Sequence, residues 1–510
     1  MNKLIGSPKK KAKINEWLIL AIIILALIPV TIDATILHIA IPSLTLSLGA
    51  TGNEVIWIID TYPLIMAGLL LPMGVLGDKI GHKKILIFGV SIFALASLFA
   101  GLSTQPLYLI LSRALLALGG SMIMPVTLAI IRQTFPDQEK CGRALGIWAA
   151  VGTMGAAIGP LIGGILVEYY SWEAVFLINI PLLLIVIPLI WFGVPNGISD
   201  PKKPWIFKDA CLLLIGVIVF VYALKSIFKE NQSLYVSAIA GLFGFLLLRW
   251  FFKKQKNTDT AMIDISLLQN KQILFAMLLC FVPMAVIVGF EFLLAQELQF
   301  VHKFSPINAG LFMIPFAFSS ALAGPLTGYL IGKIGFRKLI ITVLFISSFS
   351  FFMLSTLNFS SLTIPVFGWL VVLGFSLGMI LMAATNSIMA TAPIDKAGTA
   401  GSMESIAYEL GTGLGIAFFG IVLSQVFIRK FSISKDLLSE IGNKSYNSIS
   451  DVLIIANNLD AAKQQEMKNA AMIAFQGAHN IVLIVAGSIL GILALAIIFS
   501  GSKKTTKLNL

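Results

Sequence analysis

Long apolar runs, each closed by a short polar or basic stretch, recur along almost the whole chain. A helix needs about 20 mostly apolar residues to cross a bilayer, and runs of that kind centre near positions 28, 65, 95, 120, 155, 184, 219, 243, 283, 319, 348, 377, 413 and 489. The pattern predicts an all-α polytopic membrane protein with fourteen spanning helices, an even number that leaves both ends on one side. The first run has a basic flank, as a signal peptide does. It continues from about Trp17 to Ile41 without a small-residue cleavage site, so it is expected to remain as helix 1.

One turn is written twice. Gly74-Val-Leu-Gly-Asp78-Lys-Ile-Gly81-His-Lys83-Lys84 follows the second run, and a related string, Gly328-Tyr-Leu-Ile-Gly332-Lys333-Ile-Gly335-Phe-Arg337-Lys338, begins 254 residues later. A turn duplicated after the second helix of each half predicts two equivalent six-helix bundles, helices 1 to 6 and 9 to 14. Helices 7 and 8, about 209 to 228 and 234 to 252, are left as an inserted hairpin. The expected divisions are a cytoplasmic N-terminus (1–16), an N-terminal bundle (17–194), the hairpin with its linkers (195–271), a C-terminal bundle (272–500) and a cytoplasmic tail (501–510). Within the last bundle, residues 429–478 form an external loop of mixed charge. Its stretch from Asp451 to Met472 could present an apolar face through Leu453, Ile454, Ile455, Leu459, Met467 and Met472. That loop reads either as an external cap or as a participant in substrate release or partner contact.

Composition agrees with a bilayer. Of 510 residues, 58% are hydrophobic and 12% charged, with a mean hydropathy of +0.94, more apolar surface than a soluble interior can hide. The net charge of +12 could suggest nucleic acid, but its placement follows membrane topology instead. With the N-terminus inside, the inner segments hold 26 of the 36 Lys and Arg, while six of the others lie in the long loop after residue 428, where charge has little weight. Both termini are therefore expected to be cytoplasmic, and nucleic acid is not an expected partner. Cys141 falls in an inner loop, Cys211 and Cys280 within helices, with neither disulfide nor metal spacing. No catalytic triad, metal cluster or phosphate-binding Gly-x-x-x-x-Gly-Lys-Ser/Thr string is present, so neither an enzyme nor an ATP-driven pump is expected.

Ionisable residues inside a bilayer cost about 2.5 to 3.5 kcal/mol on insertion scales, so each invites a functional reading. They are Asp33 in helix 1, Asp60 in the outer part of helix 2, Arg113 in helix 4, Glu291 late in helix 9, and Glu404 and Glu409 in helix 13. Arg113 alone would be an uncompensated cation, and a nearby carboxylate would relieve it. Such a pair either couples protonation to conformation or is a static tie. Glu404 and Glu409 stand about 140° apart around a helix, so they would line adjacent walls of one cavity rather than face one point. Glu404 could equally cap or snorkel at the start of its helix, and Asp60 and Glu291 could serve the interface. Asp33 is the deepest, preceded by Pro29 and followed by His38, itself a weak candidate for proton transfer.

Two motifs are more specific. Asp78 with Lys79, Lys83 and Lys84 makes a tight turn between Gly74 and Gly81 in which the carboxylate could bond the start of a neighbouring helix and the bases could pair across the bundle interface; breaking those contacts would accompany inward opening. Gly332 replaces Asp78 in the second copy, so the latch would be asymmetric. In helix 5, Gly155-Ala-Ala-Ile-Gly159-Pro160-Leu-Ile-Gly163-Gly164 combines the spacing that lets helices approach closely with a proline that permits a bend.

With these strings in view, the chain resembles the major facilitator superfamily, and within it the fourteen-helix drug:proton antiporters. Residues 74–84 resemble the superfamily signature and 155–164 the antiporter motif of helix 5. Asp33-Ala-Thr-Ile-Leu-His-Ile-Ala-Ile-Pro42 and Trp172-Glu-Ala-Val-Phe176-Leu-Ile-Asn179-Ile-Pro181 are similar to the helix-1 and helix-6 motifs of that group. Pro29-Val-Thr-Ile-Asp33, Trp57-Ile-Ile-Asp60, Gly289-Phe-Glu291 through His302, and Ala407-Tyr-Glu409-Leu-Gly411 resemble exporters of methyl viologen and quaternary ammonium compounds. The helix-4 pattern departs, with Leu116 and Ala117 where a Gln and a Gly are usual.

The resemblance implies export of lipophilic mono- and dications from a bacterial cell by a monomer driven by the proton gradient, with no cofactor. It also implies substrate or proton handling by Asp33, Asp60, Glu404 and Glu409. Tyr62 and Tyr408 are placed to add cation–π contacts of about 0.5 to 2 kcal/mol. Uptake by symport, export of a lipid or peptide, and a membrane-bound enzyme or sensor are the competing readings. The helix-5 motif and the intramembrane acids favour cation export over uptake; a transport assay with lipids and peptides would separate the second reading, and an enzyme or sensor would want a catalytic triad, metal cluster, nucleotide loop or sizeable soluble domain, none of which is visible in the sequence.

Overall fold

The computed structural model describes residues 15–197, 207–226, 234–256, 265–392, 397–434, 437, 446, 448–457 and 459–500. Among them are fourteen helices long and apolar enough to cross a membrane and no strand. In chain order they are α1 (Glu16–Leu48), α2 (Gly52–Ile80), α3 (His82–Gly101), α4 (Pro106–Thr134), α5 (Gln138–Tyr169), α6 (Ala174–Gly193), α7 (Phe207–Ser226), α8 (Leu234–Lys256), α9 (Lys271–Val301), α10 (Pro306–Ile334), α11 (Phe336–Leu354), α12 (Ile364–Thr391), α13 (Ala397–Lys430) and α14 (Ala461–Ser500). Much of the N-terminus and of both linkers, residues 435–436, 438–445, 447 and 458 of the 429–478 loop, and the whole tail lie outside the described residues.

Local chemistry sets the helix ends. Asn15 caps α1 by accepting from Trp17 N, and Gly49 closes it in the left-handed region. Thr51 and Glu54 form a reciprocal capping box at the start of α2. The duplicated turn is a backbone device: Gly81 and Gly335 occupy φ of 106° and 83°, angles that a side chain would strain. Each copy then sends a base two residues further to the last helix of its own half. Lys83 Nζ donates to Trp191 O at 2.7 Å, and an Arg337 nitrogen donates to Ile497 O and Ile498 O at 2.9 and 3.1 Å.

The helices pair in a pattern that repeats. α1 packs on α5, α2 on α4, and α3 on α4 and α6; α9 packs on α13, α10 on α12, and α11 on α12 and α14. α7 and α8 pack on one another, and α7 lies against α2, with Tyr222 stacked 6.3 Å from Trp57. Tyr235, Ile239, Leu242 and Trp250 of α8 point outward, exposed, a face that suits lipid rather than water.

Between the halves, α2 meets α13 and α5 meets α10, and the close approaches gather towards the end of the molecule away from Glu16 and Ser500. Glu168 accepts from Ile307 N at 3.0 Å. A Cβ on Gly310 would lie 2.6 Å from Pro160 O, and one on Gly413 would touch Leu64. The short helix Ile449–Ala456 covers this end, Asp451 accepting from Gly52 N at 3.3 Å. At the opposite end, no described residue lies within 4 Å of a Cβ built on Gly142 or Gly146 of α5, or on Gly328 or Gly332 of α10. Among the described residues, the close approaches between the halves lie at one end, and these glycines at the other end face open space.

Some boundaries differ from expectation. α1 runs on to Leu48 because Pro42 is absorbed within it. Cys141 lies in the first turns of α5, since Asp137 caps that helix by accepting from Lys140 N. The amphipathic stretch 451–472 is two pieces, because the helix ends at Ala456 and α14 starts afresh at Ala461, where Asp460 accepts from Lys463 N.

Candidate functional site

Three helices of the first half converge on one guanidinium. Arg113 of α4 is buried, and a charge in that position is tolerated only with partners. One nitrogen pairs with Asp33 Oδ2 of α1, Nε donates to Ile58 O of α2 at 3.2 Å, and the ion sits 4.5 Å from the centre of the Tyr62 ring. Asp33 Oδ1 and the Tyr62 hydroxyl are buried without a hydrogen-bond partner among the described residues. Room for Tyr62 comes from Gly120, where a Cβ would lie 2.8 Å from that hydroxyl. Gly120 was not singled out by the sequence, because one more glycine in a membrane helix is unremarkable.

The second half adds Glu409. It is one turn before Gly413, so the two share a face of α13, and Gly413 abuts Leu64 and Pro63 of α2. Glu409 is thereby held towards the first half, within electrostatic reach of Arg113 and Tyr62. Asp60 is fully buried on the same stripe of α2 as Ile56, Pro63 and Leu64, the stripe that meets α13.

Glu404 goes elsewhere. Its carboxylate accepts from Thr385 of α12, whose hydroxyl is 3.0 Å from the Tyr408 hydroxyl. Glu404 and Tyr408 are therefore joined through Thr385 inside the second half, and Tyr408 uses its hydroxyl there. Thr385 was missed, although the polar string Thr385-Asn386-Ser387 in an apolar run was a signal. Glu291 is buried on α9 between Phe290 and Phe292, and no hydrogen bond joins it to the Asp33–Arg113 group.

The other motifs serve packing and turns. Gly155, Gly159 and Gly163 face α1, where a Cβ on Gly163 would lie 2.8 Å from Ile36 O, and Thr35 donates to Ala156 O at 2.9 Å. Gly164 faces α10 across the interface, 2.5 Å from Pro306 O by the same measure. Asp78 contacts His82 at 3.0 Å, and Gln133 of α4 reaches the other nitrogen of that ring at 3.2 Å. A Cβ on Gly74 would touch Pro125 of α4, and Lys84 is exposed. These described contacts tie α2, α3, α4 and α6 of one half. Among the turn's bases, Lys83 reaches the carbonyl end of α6 through Trp191 O.

Comparison with known proteins places the arrangement. Residues 23–416 match the model of the Major Facilitator Superfamily. The chain is 44% identical over 489 residues to the methyl viologen resistance protein SmvA of Salmonella typhimurium, spanning 96% of this chain and 99% of that one. It is 30% identical to the multidrug efflux pump LfrA of Mycolicibacterium smegmatis, over 92% and 93% of the two chains. A crystal structure of a bacterial homologue of the human lysosomal transporter Spinster, inward-facing and occupied, shares the fold with a TM-score of 0.67, 19% identity and 98% coverage of both chains.

Proposed function

Since the chain belongs to the Major Facilitator Superfamily and is a multi-pass membrane transporter, we propose that it exports lipophilic organic cations in exchange for protons. Quaternary ammonium compounds, methyl viologen and cationic dyes are the expected cargo, and the bacterial cell membrane the expected site, with both termini cytoplasmic. Helices α1–α6 and α9–α14 act as the two moving bundles, and α7–α8 are an inserted pair carried on α2. In this orientation the joined end faces outward and the separated end faces the cytoplasm.

The observation that carries the proposal is the group formed by Asp33, Arg113, Tyr62 and Glu409 on both sides of the interface. With all three ionisable members charged, the group holds one net negative charge. A cation or a proton can each cancel that charge, and the two therefore compete. Open inward, the group attracts a cation; open outward, proton entry releases it. Tyr62 offers a ring face, and Asp33 Oδ1 an acceptor, in a setting too dry for either to be satisfied by bulk water.

Electrical arithmetic favours proton exchange. Outward movement of one positive charge against an inside-negative potential costs about 2.3 kcal/mol per 100 mV, and a dication about twice that. Exchange for two protons cancels the electrical part, which gives a second carboxylate such as Glu404 a use. In cells, collapse of the proton gradient by a protonophore with ATP maintained should abolish export of a quaternary ammonium dye. Export that continues under those conditions would refute proton antiport.

A further inference from the structure

A second buried set of titratable groups lies near the joined end, apart from the group just described. Glu297 opens a π-helical turn, Glu297–Val301, that ends α9. His302, directly after the turn, places Nε2 3.2 Å from Glu297 Oε1, and His479 of α14 bonds Glu297 Oε2 through Nδ1. Glu297 and His479 are buried, and His479 Nε2 has no hydrogen-bond partner among the described residues. Its ring lies 6.0 Å from that of Phe359. Turns of this kind are rare and concentrate at functional sites. A buried carboxylate held by two imidazoles is costly to keep if it does nothing.

Proton accounting defines what the cluster can hold. With Glu297 ionised and both imidazoles neutral, each ring donates one N–H to the carboxylate and the net charge is −1. One further proton on either ring makes an imidazolium–carboxylate pair and brings the net charge to zero. The same turn reaches across the interface, where the Gln299 amide donates to Ile39 O of α1 at 3.0 Å. Among the described residues, neighbouring elements bring few other charges. α1 contributes His38, its ring 6.4 Å from Phe292; α13 contributes Lys430, beside Gly477; α5 contributes Glu168, bonded to Ile307 N; and Lys303, at φ 57°, follows His302.

We propose that Glu297, His302 and His479 form a second proton-binding site whose occupancy favours the arrangement in which the two halves are joined at this end. All three groups belong to the second half, so the preference is carried by the turn they hold: the ion pair that a proton completes fixes the turn from which Gln299 reaches Ile39 O of α1, a contact between the halves at this end, and acid therefore raises the joined population. The proposal goes beyond cation antiport and needs neither cargo nor a gradient.

Nitroxide pairs on Tyr170→Cys and Ser361→Cys, exposed positions on opposite halves at this end, report the separation after Cys141, Cys211 and Cys280 are replaced by Ala. In nanodiscs equilibrated from pH 8 to 5.5, the ratio of joined to separated molecules should rise about threefold or more. The rise should persist on a Glu409→Gln background. His479→Gln and His302→Gln should each flatten it. No rise in the parent, a rise undiminished in either histidine variant, or a rise abolished by Glu409→Gln with the cluster intact would overturn the proposal. If His479→Gln does not fold, His302→Gln, at the rim of the cluster, decides the matter alone.

Discussion

In the proposed cation export, charge at single residues is the basis on which cargo is told apart from other apolar molecules. Neutralising Glu409 removes attraction in proportion to cargo charge. Neutralising Asp33 removes the same unit of charge and also leaves Arg113 buried without its carboxylate partner, which costs stability. Glu409→Gln and Asp33→Asn are therefore expected to weaken transport of a dication such as methyl viologen by roughly the square of the factor lost for a monocation of similar size, with Asp33→Asn the more severe. Matched resistance and proteoliposome measurements at equal protein levels check this, and equal losses for both cargoes would remove the two residues from the cation site. Asp33, Arg113 and Glu409 were legible in the sequence because an ion in an apolar run stands out. Which carboxylate Arg113 would take was not legible, since that depends on the crossing of α1 and α4. Glu297 and His479 are 182 residues apart, so only the packing of α14 on the end of α9 joins them.

At the level of whole helices, close approach is what lets α5 serve two partners. A Cβ on Gly159 would meet Thr35 Oγ1 and lie 3.2 Å from both Ile32 O and Ile36 N, whereas one on Gly146 meets nothing within 4 Å. Backbone atoms cannot step aside, so Gly159→Ala should lower stability by about 1 to 3 kcal/mol and impair turnover, while Gly146→Ala should be tolerated in both respects. Thermal unfolding in detergent and transport rate measure the two effects; indistinguishable variants would contradict close packing as the role of the motif. Helix number and most boundaries were readable from apolar run length, since each backbone must satisfy its own hydrogen bonds in lipid. The end of α1 was not, because proline is tolerated inside membrane helices. Nor was the division of 451–472, which rests on a cap at Asp460 rather than on hydrophobic period. The glycine string itself was legible, but not the split of its faces between α1 and α10, which emerges only when three helices meet.

On the scale of the molecule, two repeats are joined near one end by α2 with α13 and α5 with α10, and the ionisable group straddles the seam. In the proposed antiport, that geometry is what ties protonation to rocking of one half against the other, because any separation at the seam alters what Glu409 and Arg113 feel. The turn that repeats across the halves foretold the doubled architecture; which end is joined depends on glycine contacts far apart in sequence. The most direct measurement uses purified protein in liposomes with an imposed pH gradient and no ATP, following methyl viologen and a panel of monocations. Accumulation in the acidic compartment that vanishes when the gradient is collapsed, and that is lost in Asp33→Asn, is the expected result. Movement of cations that is indifferent to the gradient, or unchanged in Asp33→Asn, would contradict exchange of cations for protons at this site.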